Sequence, residues 1–519
     1  MRQSNNRREL IEKVVVSAQQ MREIEERMFE AGMPVAALME KVAGLIYRRI
    51  QKLYPRSHQR RVGILVGPGH NGGDALVVAR ELHLQGDEVL IYRPLSQLKE
   101  LTSKHAQYAA SLGIPFYEQI ESLADCDLII DGLFGFGLTR SISGDVASAI
   151  ENLNQHSQPI VSIDLPSGIH TDTGEVLGTA IRATQTLCLG LWKLAFLQDQ
   201  ALAYIGKAQL VDFNIPLGDI WSVLGQPPAI MQMRANAARD YLPLPRVAVT
   251  HKYKEGHLLL ICGSKRYAGG AILTGLGARA SGVGMLSIAV PESLKPLLVN
   301  HLPEALIIAC QETETGAIAK LPDTVDWNSY NAIACGPGLT RDAKLVVQEA
   351  LGVKCPLVLD ADGLNILSEF RTIPTLLRRK EPTVLTPHVG EFKRLFPDSA
   401  QLLPDRISAV RKASHLSKAV VLLKGARTAI AEAHSGGSLW LIPESTPALA
   451  RGGSGDVLTG LMGGLLAQPG LSEQTLSATV ATAAWWHAQA GILAAQERTE
   501  LGVDAFTLSQ YLISVLLEI

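Results

Sequence analysis

The feature that most constrains the fold is a repeated alternation of short apolar runs with helical stretches. In the first half of the chain the apolar runs are VGILVG, EVLIYR, DLIIDG, PIVSID, TLCLG and KAQLVDF. Uninterrupted apolar strands separated by helices are typical of parallel sheets that are covered on both faces. The pattern therefore predicts an α/β fold in which ligands bind beyond the carboxyl ends of the strands.

The alternation resumes later in the chain and predicts a second sheet. The runs GHLLLICGS, GMLSIAV, AIACGPG, PLVLDADG, TVLTPH and AVVLLKG are typical of strands. Between them and the first half lies a proline-punctuated stretch, about 226–245, without clear periodicity. Because 519 residues are too many for one core, we predict two three-layer α/β/α domains, 1–224 and 225–519.

Charge and cysteine content exclude several classes of protein. The formal net charge is −2, so no basic excess suggests a nucleic-acid partner. No run is long and apolar enough to predict a membrane span, and the polar N-terminus lacks the apolar segment of a signal peptide. The six cysteines are dispersed without a C-x-x-C pair. Buried, reduced thiols and a cytoplasmic location are therefore expected.

A glycine-rich stretch in the second half points to a phosphate site. The run TPALARGGSGDVLTG, 446–460, places three glycines and Asp456 directly before an apolar helical run. Free amides and the dipole at a helix N-terminus favour an anion there. An acid beside a phosphate is useful if it takes a proton from a hydroxyl that attacks the phosphorus. The alternative is a glycine-rich helix cap with an aspartate in the first turn.

The loop after the first strand, 67–74, has the sequence GPGHNGGD and contains a G-x-G-x-x-G match. That match is weak by itself. Arg93 follows the second strand, where a hydride-transfer domain would carry a ribose-binding acid, and Asp74 would repel a pyrophosphate. An ordinary NAD dehydrogenase is therefore the less favoured interpretation.

Polar residues at neighbouring strand ends predict a cation site in the first half. Asn71, Asp131 and Ser167 follow three different strands and would converge as hard oxygen donors. Asp164 lies in the same loop as Ser167. Each residue alone could equally belong to a simple turn.

Further charged residues follow the strands of the second half. Lys424-Gly-Ala-Arg-Thr428 offers two cations near a glycine, which would suit a nucleotide, although a surface turn is the alternative. Asp360, Asp362 and Glu391 could bind magnesium through water. His388 could contact a ligand or cap a helix.

The motifs GPGHNGGDALVVAR, DGLFGFGLTR and DLPSG resemble those of the YjeF N-terminal family, the Rossmann-like NAD(P)H-hydrate epimerases. The resemblance implies that Asp164 is the acid at the reacting ring and that Asn71, Asp131 and Ser167 hold potassium. His70 and Ala75 stand where the family usually has Asn and Gly. The implied contacts of the hydrated nucleotide, besides Asp164, are His70, Asn71, Gly72, Gly73, Asp74, Gly135, Phe136, Gly137, Leu138, Thr139, Arg140 and Ser141.

Six ordered motifs of the second half resemble the YjeF C-terminal family, the ribokinase-like ADP- or ATP-dependent NAD(P)H-hydrate dehydratases. They are GSKRYAGGAILTGLGARASGVG, CGPGL, DADGLN, TPHVGEF, LLKGART and GGSGDVLTG. The resemblance implies that Ala271, Gly338, His388 and Asp456 contact the hydrate and that Asp456 activates its hydroxyl. The implied contacts of the adenine nucleotide are Lys424, Gly425, Ala426, Arg427, Thr428, Thr446, Pro447, Ala448, Leu449, Ala450, Arg451, Gly452, Gly453, Ser454 and Gly455.

Together the two resemblances imply a bifunctional metabolite-repair enzyme. One half would interconvert the R and S epimers of hydrated NADH and NADPH, called NADHX and NADPHX. The other would dehydrate the S form with ADP and magnesium, giving AMP and phosphate, although no residue chooses between ADP and ATP. We also expect a homo-oligomer. The alternatives are a ribokinase-type small-molecule kinase with a regulatory nucleotide sensor, and a non-catalytic scaffold for protein or RNA contact.

Overall fold

The chain forms two compact units. A computed structural model describes residues 2–55, 59–433, 439–470, 472 and 475–518, with side chains from residue 7 onward. The units are Met1–Pro228 and Ala229–Ile519. The division falls inside the proline-punctuated stretch, shortly after residue 224.

The N-terminal unit is built on a parallel sheet. Its strands are β1 (Val15–Val16), β2 (Arg61–Val66), β3 (Glu88–Tyr92), β4 (Phe116–Tyr117), β5 (Leu128–Gly132), β6 (Ile160–Ile163), β7 (Gln185–Leu189), β8 (Trp192–Lys193) and β9 (Lys207–Val211). Within the described residues, seven of them form one sheet in the order β4-β3-β2-β5-β6-β7-β9, and every neighbouring pair is parallel. The strands β3 and β4 lie on one side of β2, whereas β5, which follows β4 in the chain, lies on the other side. The strand order therefore reverses between β2 and β5, and a ligand crevice is expected beyond the carboxyl ends of these two strands.

Helices surround this sheet. They are α1 (Arg2–Lys13), α2 (Ala18–Glu30), α3 (Val35–Leu53), α4 (His70–Leu84), α5 (Glu100–Ser111), α6 (Gly144–Leu153), α7 (Leu202–Ile205) and α8 (Leu217–Leu224). Successive strand residues enter different apolar clusters: Ile64 packs in one and Leu65 in another. Both faces of the sheet are therefore covered, and the predicted α/β fold is confirmed.

One boundary differs from the sequence prediction, because the loop after β2 is shorter than GPGHNGGD. Helix α4 begins at His70, so HNGGD forms its first turn. The helix approaches the loop closely there, since a Cβ at Gly72 would lie 2.0 Å from the Gly67 carbonyl oxygen. A side chain at this position would collide with the backbone, which explains the glycine.

The C-terminal unit contains a larger, mixed sheet. Its strands are β10 (Ile230–Gln232), β11 (His257–Ile261), β12 (Met285–Pro291), β13 (Leu306–Glu312), β14 (Ile318–Lys320), β15 (Ala332–Cys335), β16 (Leu357–Leu359), β17 (Thr383–Leu385), β18 (Val420–Leu423), β19 (Ala429–Ala431) and β20 (Leu439–Leu441). As far as the chain is described, their order is β10-β20-β19-β18-β17-β16-β15-β11-β12-β13-β14. The strands from β18 to β13 in this order are parallel, whereas β19 is antiparallel to both of its neighbours. The sequence predicted only the parallel part.

The helices of this unit flank its sheet, and two of them, which begin at Ala268 and Ser454, pack against each other through glycines. The helices are α9 (Ala235–Arg239), α10 (Ala268–Ala280), α11 (Lys295–His301), α12 (Lys344–Ala350), α13 (Asp362–Glu369), α14 (Thr372–Leu377), α15 (Val389–Leu395), α16 (Pro397–Ala400), α17 (Arg406–Ser417), α18 (Ser454–Leu466), α19 (Leu476–Arg498) and α20 (Ala505–Leu516). A Cβ at Gly460 on α18 would lie 1.8 Å from the Thr274 carbonyl oxygen on α10. A Cβ at Gly277 on α10 would lie 2.1 Å from the Val457 carbonyl oxygen. This close contact fixes the N-terminus of α18.

No helix among the described residues is both long and apolar enough to cross a membrane.

Candidate active sites

The N-terminal unit has a cleft of about 540 Å³ beyond the carboxyl ends of β2, β5 and β6. Most of the predicted substrate residues line it: His70, Asn71, Asp74, Gly135, Phe136, Gly137, Leu138, Arg140 and Asp164. Gly72 and Gly73 do not, because they are buried in the first turn of α4. Thr139 and Ser141 are exposed to solvent and do not line the cleft.

Asp164 is held by three donors. Its backbone is left-handed, with φ of 67°, immediately after β6. Its Oδ2 accepts a hydrogen bond from the Phe136 amide at 2.9 Å, and its Oδ1 accepts one from the Leu189 amide at 3.3 Å. The Lys193 ammonium lies 2.5 Å from the same Oδ1. These three contacts fix the position of the Asp164 carboxylate.

Lys193 was missed by sequence reasoning. It is fully buried on β8, and its Nζ also donates to the Leu189 carbonyl oxygen at 2.5 Å. Burial by itself lowers the pKa of Lys193, but Asp164 outweighs this effect and raises it. An isolated lysine within the apolar run LGLWKLAF was the available signal, because a cation buried among such residues needs a partner.

Besides Asp164, the carboxyl groups of Glu25, Glu26 and Asp74 line the cleft, and the pKa values of Glu25 and Asp74 are shifted. Burial raises the pKa of Asp74 well above its usual value, and the nearby Asp164 and Glu25 raise it further. Burial also raises the pKa of Glu25 to about 7, with Lys193 opposing the shift. Glu25, on α2, was not among the predicted site residues. Its signal in the sequence was weak, since an acid on an amphipathic helix is usually solvated.

The predicted cation donors are partly assembled. Asp131 is fully buried and accepts hydrogen bonds from Ser167 Oγ at 2.5 Å, Ser162 Oγ at 2.8 Å and the Ser167 amide at 2.9 Å. Burial raises its pKa, and among the described residues no cationic side chain pairs with it. Asn71 lies against Gly135, and its Nδ2 is buried without a hydrogen bond in the described chain. The three side chains carry oxygens of the kind that hard cations bind, and potassium at this place stays a prediction.

In the C-terminal unit, the glycine-rich stretch forms a helix N-terminus. Gly453 caps α18 with φ of 88°, and Asp456 lies in the first turn. A Cβ at Gly455 would be 3.4 Å from Lys424 Nζ. The lysine and the free amides of the helix therefore face the same space, an arrangement suited to a phosphate.

The Asp456 carboxyl is poised to accept a proton. It makes no hydrogen bond or ion pair within the described residues, and its Oδ2 would be 3.3 Å from a Cβ at Gly270. The same Cβ would be 3.7 Å from Gly338 Cα, so Asp456 lies near one predicted hydrate contact. Burial raises the pKa of Asp456 to about 7, helped by Asp360 and opposed by Lys424.

Asp360 organises this site. Its Oδ1 lies 2.7 Å from Lys424 Nζ, and its Oδ2 accepts a hydrogen bond from Thr459 Oγ1 at 2.7 Å. Burial lowers the pKa of Lys424, but Asp360 and Glu391 outweigh it and raise the pKa. The network connects strand β16, the β18–β19 loop and helix α18.

The acids predicted to bind magnesium are already engaged. Asp360 holds Lys424 and Thr459, while Asp362 Oδ2 accepts from the Thr340 amide at 2.9 Å. In the parts of the chain that are described, no three His, Cys, Asp or Glu side chains are grouped to hold a metal ion directly. Binding through water stays a prediction.

His388 is the N-cap of α15, which was the alternative interpretation of this residue. Its Nδ1 accepts a hydrogen bond from the Gly390 amide at 2.9 Å, and the Glu391 carboxylate accepts one from the His388 amide at 2.9 Å. Its side chain is largely exposed, so the ring remains accessible to a ligand. Ala271 is fully buried and packs against Gly263, so the structure gives it no exposed surface for the predicted contact with the hydrate.

The remaining predicted nucleotide residues form two loops. Lys424–Thr428 connects β18 to β19, and there the Thr428 hydroxyl donates to the Gly425 carbonyl oxygen at 3.3 Å. In the stretch 446–453 before α18, Thr446 Oγ1 accepts from the Ala448 amide at 3.3 Å. Arg451 Nη1 donates to the Val503 carbonyl oxygen at 2.9 Å, so this guanidinium partly serves the fold.

His487, on α19, contacts the first residue of α18. Its Nε2 lies 2.9 Å from the Ser454 carbonyl oxygen and 3.2 Å from the Ser454 hydroxyl. Because a carbonyl oxygen only accepts, Nε2 carries the proton. Burial lowers the pKa of His487 to about 4, so the ring is neutral at physiological pH.

The chain matches known families in both units. Residues 35–195 match the family described as YjeF-related protein N-terminus, and residues 258–514 match the family described as NAD(P)H-hydrate dehydratase.

Full-length relatives share both halves. A bifunctional NAD(P)H-hydrate repair enzyme of Synechocystis sp. is 57% identical over 96% of this chain and 94% of its own length. One of Thermosynechococcus vestitus is 50% identical over 97% of each chain. A crystal structure of the ADP/ATP-dependent NAD(P)H-hydrate dehydratase of Bacillus subtilis is 34% identical over 53% of this chain and 93% of its own, with a TM-score of 0.45.

Proposed function

The chain belongs to the family of bifunctional NAD(P)H-hydrate repair enzymes, and on that premise we propose a specific division of labour between its units. The N-terminal unit interconverts the R and S epimers of NADHX and NADPHX. The C-terminal unit dehydrates the S epimer to NADH or NADPH with ADP as phosphoryl donor. One unit thus supplies the epimer that the other consumes.

The observation that carries the dehydratase proposal is the free carboxyl of Asp456 beside a phosphate-binding helix N-terminus. Asp456 takes the proton of the substrate hydroxyl, whose oxygen then forms a bond to the terminal phosphorus of ADP as AMP departs. Phosphate next leaves with the carbon–oxygen bonding electrons, and loss of a ring proton restores the double bond. Phosphate leaves far more easily than hydroxide would.

Other residues of the site serve the nucleotide. Lys424 and the first amides of α18 stabilise the charge that develops during transfer. The loops Lys424–Thr428 and Thr446–Gly455 surround the adenine nucleotide. Magnesium would neutralise phosphate charge, and we propose that Asp360, Asp362 and Glu391 reach it through water, since they are engaged with protein partners.

The epimerase proposal depends on Asp164. Its left-handed backbone and three donors hold the carboxylate at the mouth of the loops after β5 and β6. The carboxylate is therefore positioned to move a proton as the hydroxyl of the hydrate leaves and returns. Asn71, Asp131 and Ser167 would hold potassium, which would balance the buried charge of Asp131.

The test incubates the protein with the purified R or S epimer, ADP and magnesium. The reaction is monitored through the absorbance of the restored dihydronicotinamide and through the release of phosphate. Both epimers should be consumed, each with one phosphate released. Asp164→Asn should still dehydrate the S epimer but should not use the R epimer. A stable phosphorylated product without phosphate release would instead support the ribokinase-type kinase, and parallel assays with ATP identify the donor.

Two coarser expectations also belong here. We propose a cytoplasmic location, supported by six cysteines that are all free and buried. The homo-oligomer stays a prediction that sedimentation of the purified chain would test.

A further inference from the structure

Helix α2 presents Glu25 in a fixed orientation. Ser17 and Gln20 form a reciprocal capping box at its start, and the Ala18 amide donates to Asp172 Oδ1 at 2.7 Å. The neighbouring Ile24 is fully buried. The helix is thus fixed both by its cap and by its apolar face, and these contacts determine the direction in which the Glu25 side chain leaves the helix.

Glu25 lines the same cleft as Asp164 and Lys193. It is half-buried, yet within the described chain its carboxyl makes no hydrogen bond and no ion pair. A carboxyl that is partly withdrawn from water without a protein partner is costly, and such a group is commonly kept for a ligand. The Glu25 carboxyl is therefore available to a ligand in the cleft.

Asp164 and Glu25 have contrasting environments. Asp164 forms an ion pair with Lys193 and accepts hydrogen bonds from two backbone amides. Glu25 makes no such contact in the described chain, and burial raises its pKa to about 7. Two carboxyls in one cleft, of which one is paired with a cation and the other is not, are the kind of arrangement that acid and base catalysis uses.

We propose that Glu25 is the second proton-transfer group of the N-terminal site, acting as the acid while Asp164 acts as the base. This inference rests on the proposed epimerase function. Glu25 gives its proton to the hydroxyl of the hydrate, which leaves as water with the carbon–oxygen bonding electrons. The ring nitrogen lone pair forms a carbon–nitrogen double bond in its place.

The second half of the reaction restores the hydrate. Water attacks the same carbon from the opposite face, the double-bond electrons return to nitrogen, and Asp164 takes the proton of that water. At the end of the reaction Glu25 has lost a proton and Asp164 has gained one. Transfer of one proton through solvent from Asp164 to Glu25 returns the site to its starting state. The reverse epimerisation uses the two carboxyls with exchanged roles.

Other charged groups face the same cleft and act on Glu25. Asp164 raises its proton affinity, whereas Lys193 lowers it. The titratable and charged residues lining the cleft are Arg22 and Glu26 on α2, His70 and Asp74 on α4, Lys99 before α5, Arg140 after β5, Asp164 after β6 and Lys193 on β8.

The direct test is Glu25→Gln, which keeps the size of the side chain but removes its proton. Interconversion of purified epimers, followed by chromatography without nucleotide, should slow by about 100-fold or more. Dehydration of the S epimer by the same chain should be unchanged, because the C-terminal unit has an apolar core of its own. An unchanged denaturant transition of the N-terminal unit shows that the variant site is folded. Glu23→Gln is the matched control, because Glu23 lies on the same helix outside the cleft lining and accepts a hydrogen bond from Gln19.

The pH profile separates proton transfer from a structural role. Because the acid must hold its proton, the interconversion rate of the unmodified chain should fall as pH rises through about 7. That fall should disappear from the residual activity of Glu25→Gln and persist in Glu25→Asp, which retains a carboxyl. If the unmodified chain does not interconvert epimers, the proposed function fails. If it does, and Glu25→Gln matches it in rate and pH profile, the role of Glu25 is refuted.

Discussion

At the scale of single residues, the proton affinity of Asp456 is set by opposing neighbours. Burial and Asp360 raise its pKa to about 7, while Lys424 lowers it. A base must be ionised to act, so dehydration should be fast above about pH 7 and should decline as pH falls below it. The dehydratase and the epimerase should thus respond to pH in opposite directions.

Asp360→Asn tests this arrangement. The substitution removes a negative charge near Asp456 and leaves Lys424 without its anionic partner, and both changes favour ionised Asp456. The acid limb of the dehydration pH profile should therefore move to lower pH. Asp323→Asn, on an exposed carboxylate paired with Lys320, should leave the limb in place. A limb that moves to higher pH in Asp360→Asn would contradict the assignment.

Lys193→Met tests the buried ion pair of the N-terminal unit. It leaves Asp164 buried without a cation, which should cost about 3–5 kcal/mol of unfolding free energy. Denaturant unfolding followed by tryptophan fluorescence should show an earlier transition for this unit. Lys207→Met, at an exposed position of β9, should change stability by less than about 0.5 kcal/mol. An unchanged transition in Lys193→Met would mean that the pair contributes nothing.

At the scale of elements, the contact between α10 and α18 positions Asp456 and the first backbone amides of α18. Gly460→Ala would bring a Cβ within 1.8 Å of the Thr274 carbonyl oxygen, so the helices must separate. Overpacking of this kind costs about 1–3 kcal/mol. The C-terminal unit should unfold earlier, and its affinity for ADP should fall. In Gly269→Ala the added Cβ meets no atom within 4 Å, and stability should be unchanged or slightly higher.

The elements also show what sequence alone can predict. The apolar strands, the glycine-rich start of α18 and the acids at strand ends follow from local pattern, since strand length and turn chemistry are encoded locally. Lys193 was missed because its partner Asp164 is 29 positions away, and the contact between His487 and Ser454 likewise spans 33 positions. Such pairs depend on how helices and strands pack, which periodicity does not reveal.

Asp360 shows a different limit. Its position at the end of β16 was predicted. Its ion pair with Lys424 was not, because Lys424 lies 64 positions further along the chain. A carboxylate at a strand end suits a metal or an ammonium equally well until the neighbouring loop is placed. The antiparallel β19 was missed for a related reason, since three-residue strands leave little pattern.

At the scale of the whole molecule, each unit has an apolar core of its own. Units with separate cores usually fold independently. Fragments 1–228 and 229–519, produced separately, should therefore retain epimer interconversion and S-epimer dehydration respectively. Mixing them with the R epimer, ADP and magnesium should restore NADH or NADPH. An unfolded or inactive 229–519 fragment would contradict this independence.

The central claim is that the Asp456 carboxylate activates the hydrate for phosphoryl transfer. The most direct measurement is the initial rate at which Asp456→Asn restores dihydronicotinamide from the S epimer with saturating ADP and magnesium. We predict a loss of about 100-fold or more, with nucleotide binding and epimer interconversion retained. Dehydration by Asp456→Asn at the rate of the unmodified chain would contradict the account.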